Sequence, residues 1–237
     1  MGTKQLFRVD LHSHTNHSQD AVTRPLEVVE RAQRVGLDRI AVTDHGTIEG
    51  ALRAREAAPD LVIVGEEIRC RCRTELIGLF LEERIPMRLP LEEVVERIRD
   101  QSGVIYAPHP YAYPRNPITR ARRALAVADV VEACNARAFL PIWNRAAARS
   151  ARERGLATGA GSDAHFPGEI GRAFTRMPEF HGAREFRAVM EYAIPVSREV
   201  TSPFMHVASF GLKVSRVASE LVRAKPLPTS STVPVEQ

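Results

Sequence analysis

This sequence is poor in cysteine, in aromatic residues and in charge of one sign, and no apolar run approaches the length needed to cross a membrane. Its three cysteines, Cys70, Cys72 and Cys134, form no CxxC pair and are odd in number. That excludes a secreted-type disulfide framework and a thiolate zinc site, and suits free thiols in a reducing compartment. The N-terminal stretch MGTKQLFRVDLHSH holds no apolar segment of signal-peptide length. The expectation is a cytoplasmic protein with no membrane partner. Lysine and arginine are scattered without a dense run, and the formal net charge is +4. Such a balance suits a small anionic substrate and does not demand nucleic acid. Aromatic residues make up 6% of the chain, too few for an extended base-stacking groove, although Tyr106, Tyr111 and Tyr113 fall close together.

What is present is enough to build a core: 237 residues, 44% of them hydrophobic and 26% charged. Short apolar runs recur at residues 6–11, 40–43, 61–64, 76–81, 104–107, 127–132 and 156–161, separated by stretches of helical periodicity. They read as buried parallel strands of a βα-repeating barrel or sheet. Pro25 opens a helix that closes at Gly36, Pro90 opens one over 91–100, and residues 141–153 and 183–192 make two more. A further helix over 205–222 places Val207, Phe210, Val214, Val217 and Leu221 on one stripe, with Lys213, Arg216 and Arg223 off it. A stripe of this kind is expected to close the base of a barrel, the alternative being a dimer or membrane-surface contact. One domain over 1–224 and a flexible tail over 225–237, KPLPTSSTVPVEQ, complete the expected organisation.

Acidic residues and histidines fall at the ends of the expected strands. The first runs into Asp10-Leu11-His12-Ser13-His14, where a period of two puts both imidazoles on one side. Asp20 follows in a loop. The second ends in Thr43-Asp44-His45-Gly46, the third in Gly65-Glu66-Glu67, the fifth in Pro108-His109-Pro110 and the seventh in Gly161-Ser162-Asp163-Ala164-His165. Each alone could be a helix cap, a turn or a solvated charge. Five such endings, holding five of only eight histidines, point instead to a metal site at the carboxyl ends of barrel strands. Imidazole mixed with carboxylate suits Zn, Mn or Fe.

In their order DLHSHT, TDHG, GEEI, ELIGLFL, PHP and GSDAH, these motifs resemble the polymerase-and-histidinol-phosphatase (PHP) family over nearly all of the first two hundred residues. The resemblance implies a distorted seven-stranded, TIM-like α/β barrel with two or three divalent ions, most often acting on phosphate esters. By motif, His12, His14 and Asp163 would hold one ion, Glu67 would bridge to a second bound by His109, and Asp20, His45 and His165 would enclose a third. Relatives often carry a histidine where this chain has Glu75, which either ligates the second ion or is solvated. The implied activity is hydrolysis of a small-molecule or nucleotide phosphomonoester by metal-activated hydroxide, with His45 or His165 protonating the leaving group. The alternatives are a nuclease acting on RNA or oligonucleotide ends, a non-catalytic metal-stabilised domain, and hydrolysis of an amide or lactone. Arg115, Arg137 and Arg172 are candidates for gripping the phosphate, their guanidinium forks matching its geometry. Glu132 and Asn135 are candidates for orienting the ligands.

Overall fold

Alternation along the strands divides the apolar residues into two sets, and a barrel is what accommodates both. The computed structural model describes residues 6–112, 116–198, 201 and 203–223. Nine strands are found among them: β1 (Phe7–Asp10), β2 (Arg39–Val42), β3 (Val62–Arg69), β4 (Glu75–Leu79), β5 (Val104–Ala107), β6 (Val130–Asn135), β7 (Ala157–Gly161), β8 (Ala173–Met177) and β9 (Ile194–Ser197). The helices are α1 (Pro25–Arg34), α2 (Glu49–Ala57), α3 (Leu91–Asp100), α4 (Ile118–Val127), α5 (Pro141–Arg154), α6 (Gly182–Val189) and α7 (Pro203–Arg223). Ile40 and Val42 of β2, Val62 and Val64 of β3, Leu76 of β4 and Ile105 of β5 pack with Val28, Ala32, Ala51, Val94 and Ile98 of the helices. Their neighbours Ala41, Ile63, Ile77 and Tyr106 face the other way and meet Val9, Leu11, Phe180 and Phe186 inside the curved sheet.

The strands lie in the order β7-β6-β5-β4-β3-β2-β1-β8-β9. The sheet nearly closes, because Leu11 donates its N–H to Ala160 O at 3.2 Å and Ser13 bridges to Ala164 beyond the end of β7. Seven parallel strands were expected, and all seven segments are strands, but two features differ. First, β4 runs antiparallel to both β3 and β5. Only five residues connect Arg69 to Glu75, enough for a hairpin and too few for the crossover that a parallel neighbour requires. Second, β8 and β9 add an antiparallel pair beside β1. Ala173 to Met177 is buried except at Arg176, so it lacks the clean run that marked the other strands.

The base of the barrel is not closed by the C-terminal helix. Phe80, Phe180 and Phe186 fill it, with ring centroids 5.2 to 6.3 Å apart. Helix α7 lies at the opposite end: Thr201 N donates to Ala136 O at 2.7 Å, Arg137 reaches Ser209 Oγ at 3.0 Å, and Arg216 reaches Ser18 O at 2.8 Å. Of its stripe, Val207, Phe210 and Val214 are exposed, as is Phe204, while the side chains of Val217 and Leu221 lie outside those described. Periodicity identifies an apolar face but does not say which end of a barrel, or which side of a helix, has room for it. No helix among the described residues is long and apolar enough to cross a membrane.

Alternation also explains Glu66. It is turned to the helix side of β3, fully buried, with Oε2 accepting the Ile85 N–H at 2.8 Å. Burial pushes its carboxyl up from 4.5 to about 7. A carboxyl raised by folding lowers stability once the unfolded chain ionises, so the loss begins above pH 4.5 and is complete above about pH 7. Glu66→Gln should therefore match the wild type at pH 4 and exceed it by about 1–2 kcal/mol at pH 8 in urea melts. Equal stability at pH 8 would show that the carboxylate is buried without cost.

Candidate metal centre

The extended backbone beyond β1 turns Ser13 outward, its Oγ donating to Ala41 O at 2.7 Å, and turns His12 and His14 inward. Both rings are buried, and their Nε2 atoms lie 3.1 Å apart. Asp163, following β7, brings Oδ1 to 3.5 Å from His12 Nε2 and 3.2 Å from His14 Nε2. Glu67 of β3 brings Oε2 to 3.6 Å from His12 Nε2, 3.5 Å from His14 Nε2 and 3.0 Å from His45 Nδ1. Its Oε1 lies 3.4 Å from His109 Nε2. Asp20 Oδ1 lies 3.5 Å from the Nε2 atoms of both His45 and His165.

Three overlapping groups result, each with ligand atoms within 4.8 Å of one another: His12, His14 and Asp163; His12, Glu67 and His109; and His14, His45 and His165. Asp20 Oδ1 and Asp163 Oδ1 are buried within reach of several imidazoles yet complete no hydrogen bond. Buried polar atoms are ordinarily satisfied, so lone pairs aimed at shared points fit cations better than a hydrogen-bonded core.

The electrostatics agree. Burial works to raise the carboxyls of Asp20, Glu67 and Asp163, but the surrounding imidazoles hold all three well below the usual range. His45 leads for Asp20 and Glu67, and His12 for Asp163. Against burial, Asp163 and Glu132 push His12 up, while Glu67 and Asp20 push His45 up to about 10. Burial and adjacent imidazoles push His14 and His165 down. Three ionised carboxylates framed by five imidazoles make a donor set for hard-to-borderline divalent ions.

The family model of the PHP domain matches residues 10–117, and that described as PHP-associated matches residues 141–190. Two relatives come from Methanocaldococcus jannaschii. The uncharacterized protein MJ1587 is 36% identical over 119 residues, 45% of this chain and 69% of that protein. The uncharacterized protein MJ0417 is 32% identical over 181 residues, 74% of this chain and 72% of that protein. The chain belongs to the PHP family. Among solved structures, PsfC from Pseudomonas syringae superposes with a TM-score of 0.65 at 18% identity, over 90% of this chain and 99% of PsfC. A two-domain protein of Bacteroides vulgatus containing a "predicted PHP-like metal-dependent phosphoesterase" gives 0.65 at 18% identity, over 87% of this chain and 69% of that one. Both matched segments of this PHP chain contribute strands to the one sheet.

Several residues hold the PHP centre in shape. Glu132 Oε1 lies 3.0 Å from His12 Nδ1, and its Oε2 accepts the His109 N–H at 2.7 Å and Asn135 Nδ2 at 2.9 Å. A proton kept on His12 Nδ1 leaves Nε2 as a lone pair facing the centre. Asn135 also donates to Asp163 Oδ2 at 3.3 Å. Glu132→Gln should therefore weaken metal binding about 10- to 100-fold in competition with a chelating dye. Unchanged affinity would remove Glu132 from the site.

Asp10, Ser18, Asp44 and Glu169 were not singled out from sequence, yet each positions a ligand loop. Asp10 accepts the N–H groups of His12, Ser162 and Gly171, tying β1, β7 and β8 together. Asp44 accepts Thr15 N and Ser18 Oγ, each at 2.7 Å, and Ser18 Oγ lies 3.2 Å from His14 Nδ1. Glu169 Oε2 accepts His165 N at 2.8 Å. The available signal was their place within or beside the DLHSH, TDHG and GSDAH motifs. His109 (φ 25°) and Asp163 (φ 53°) adopt left-handed backbone conformations that are uncommon for such residues and that concentrate at functional sites.

Eight of the nine candidate ligands meet here. Glu75 stands apart, in none of the three groups, with Oε1 2.6 Å from Arg69 Nη2. Of the candidate phosphate grips, Arg137 is buried and spends its fork on Glu169, at 3.0 and 3.2 Å, and on Ser209. Arg172 is half-buried just before β8, and Arg115 lies outside the described residues. The tyrosine cluster offers little to a base: Tyr106 is fully buried, Tyr111 bonds Ser150 Oγ at 2.6 Å, and Tyr113 lies outside the described residues. The cysteines are unpaired, with Cys70 and Cys134 buried.

Proposed function

We propose that this chain is a metal-dependent phosphoesterase that hydrolyses the phosphomonoester of a small molecule or nucleotide. One observation carries the reading: His12, His14, Asp20, His45, Glu67, His109, Asp163 and His165, from separate strand ends, converge at one mouth in a PHP fold. The donor set suits two or three ions of Zn, Mn or Fe. His12, His14 and Asp163 would hold one, Glu67 and His109 a second, and Asp20, His45 and His165 a third. When bound, such ions supply an acidified water near neutral pH and neutralise phosphoryl oxygens.

The chain's own groups divide the remaining work. Glu67 spans the cluster, its two oxygens facing different histidines, and so fixes the spacing between the ligand groups. Glu132 and Asn135 orient His12 and Asp163. Of the two histidines suited to protonate a leaving alkoxide when the third ion is not bound, we assign His45. Its side chain is 19% exposed, with Nδ1 3.0 Å from Glu67 Oε2 and Nε2 3.5 Å from Asp20 Oδ1. His165 is buried, with Nδ1 2.8 Å from Asp163 O, so a proton there is already committed.

The purified protein should contain roughly two to three equivalents of transition metal. Chelation should abolish cleavage of p-nitrophenyl phosphate, and Zn, Mn or Fe should restore it. A reconstituted panel of sugar phosphates, nucleoside 3',5'-bisphosphates, short oligonucleotides, amides and lactones separates the alternatives. Preference for oligonucleotides, cleaved from their ends, would make it a nuclease, preference for amides would end the phosphoesterase reading, and inertness of the fully loaded protein would make it a non-catalytic domain.

A further inference from the structure

Helix α7 is inverted relative to an ordinary surface helix. Its apolar residues Phe204, Val207, Phe210 and Val214 face outward, whereas Ser209, Lys213 and Arg216, spaced by four and three, share the face turned to the barrel mouth. Ser209 receives Arg137, and Arg216 donates to the carbonyls of Asn16 and Ser18. Those contacts anchor the helix on both sides of the opening. Between them, Lys213 brings Nζ to 3.2 Å from Asp20 Oδ2, the carboxylate whose other oxygen faces His45 and His165. The helix lies beyond both segments matched by the family models.

The chemistry of the residue matters as much as its place. This chain has only three lysines, and arginine supplies nearly all its positive charge. Arginine's planar fork suits fixed two-point contacts, such as that of Arg137, whose Nη1 donates to Glu169 and Nη2 to Ser209. An ammonium on a flexible stem is a point charge that can exchange one oxygen partner for another. The Lys213 side chain is 41% exposed, so packing does not lock it, while Asp20 is almost buried.

We propose that Lys213 is the phosphate-recognition residue of this site, and that α7, by carrying it across the mouth, selects a terminal phosphomonoester over an internal phosphodiester. The inference rests on the phosphoesterase reading above. A monoester dianion offers the ammonium one more charge than a diester does, and it needs no second exit for a continuing chain past the helix. Asp20 holds the ammonium until substrate arrives, so that the cation reaches the phosphate without first being stripped of water.

The test uses the full chain loaded with metal, comparing wild type with Lys213→Met and Lys213→Arg. Lys213→Met should raise KM for p-nitrophenyl phosphate about tenfold or more with kcat changed only a few-fold, and should lower the preference for it over bis(p-nitrophenyl) phosphate by about tenfold. Lys213→Arg should recover part of both. Metal content and Tm should match the wild type, because Ser209 and Arg216 still anchor the helix. Equal losses on both esters, or a fall in Tm with the preference intact, would make Lys213 a tether and overturn the proposal. Calorimetric titration with inorganic phosphate gives an answer independent of turnover. Lys213→Met should bind it about tenfold more weakly, and equal affinity overturns the assignment. If the wild type cleaves neither ester yet binds phosphate through Lys213, the function reading fails while the binding role stands.

Discussion

Replacing Asp163 by alanine should leave a folded protein that retains little metal and hydrolyses p-nitrophenyl phosphate about a thousandfold more slowly than the wild type. The size follows from how many groups depend on this one carboxylate. Its Oδ1 faces His12, His14 and His165, and its Oδ2 accepts Asn135 and lies 4.0 Å from His109. Among the described residues, only Glu67 touches as many imidazoles of the cluster. Removal takes away a ligand and one of the buried negative charges that face these imidazoles, leaving Glu67 and Asp20 to offset them. Elemental analysis of the purified variant and single-turnover rates at saturating metal are the measurements. Full metal content with wild-type turnover would dismantle the site as described.

Gly161→Ala should be nearly as damaging without touching a ligand. A Cβ built at Gly161 would overlap His12 Cβ and lie 2.7 Å from Glu132 Oε1 and 2.9 Å from His12 N. Two of these atoms are fixed to the backbone just beyond β1 and cannot swing aside, and the third orients His12. We expect a loss of about 3 kcal/mol in denaturant melts together with a sharp fall in metal affinity, since relief requires moving β1 away from β7. Gly168→Ala is the matched control, because nothing lies within 4 Å of its added carbon. If both variants melted alike, the close approach of β7 to His12 would carry no weight.

How far the site was legible depended on distance along the chain. His12 and His14 could be paired from spacing alone, because an extended strand returns every second side chain to one face. Grouping them with Glu67, His109 and Asp163 required the barrel, whose approximate form the motif order implied. The strand segments were legible for a similar reason, each being a short apolar run between helical periods. β8 escaped because Arg176 interrupts it, and the reversal of β4 escaped because direction lies in the length of the connection rather than in the strand.

The positioning groups show the boundary most sharply. Asp10 and Asp44 sit inside recognisable motifs, but a carboxylate that ligates and one that accepts three backbone N–H groups look identical as letters. Which of Glu66 and Glu67 enters the centre was settled by one step of strand alternation, which sends the first to Ile85 and the second to the histidines. Glu75, plausible as a ligand beside its strand, is instead held by Arg69 across the β3–β4 hairpin.

By itself the sequence determined the α/β alternation, the chemistry of the donor set and its family, because those reside in residue type and local period. Only the tertiary structure decided that α7 crosses the mouth rather than the base, and that Lys213 meets Asp20 across 193 positions. A long-range contact between two common charged residues leaves no local trace. Where a helix comes to rest is fixed by which surface remains free, and here Phe80, Phe180 and Phe186 had already filled the other end.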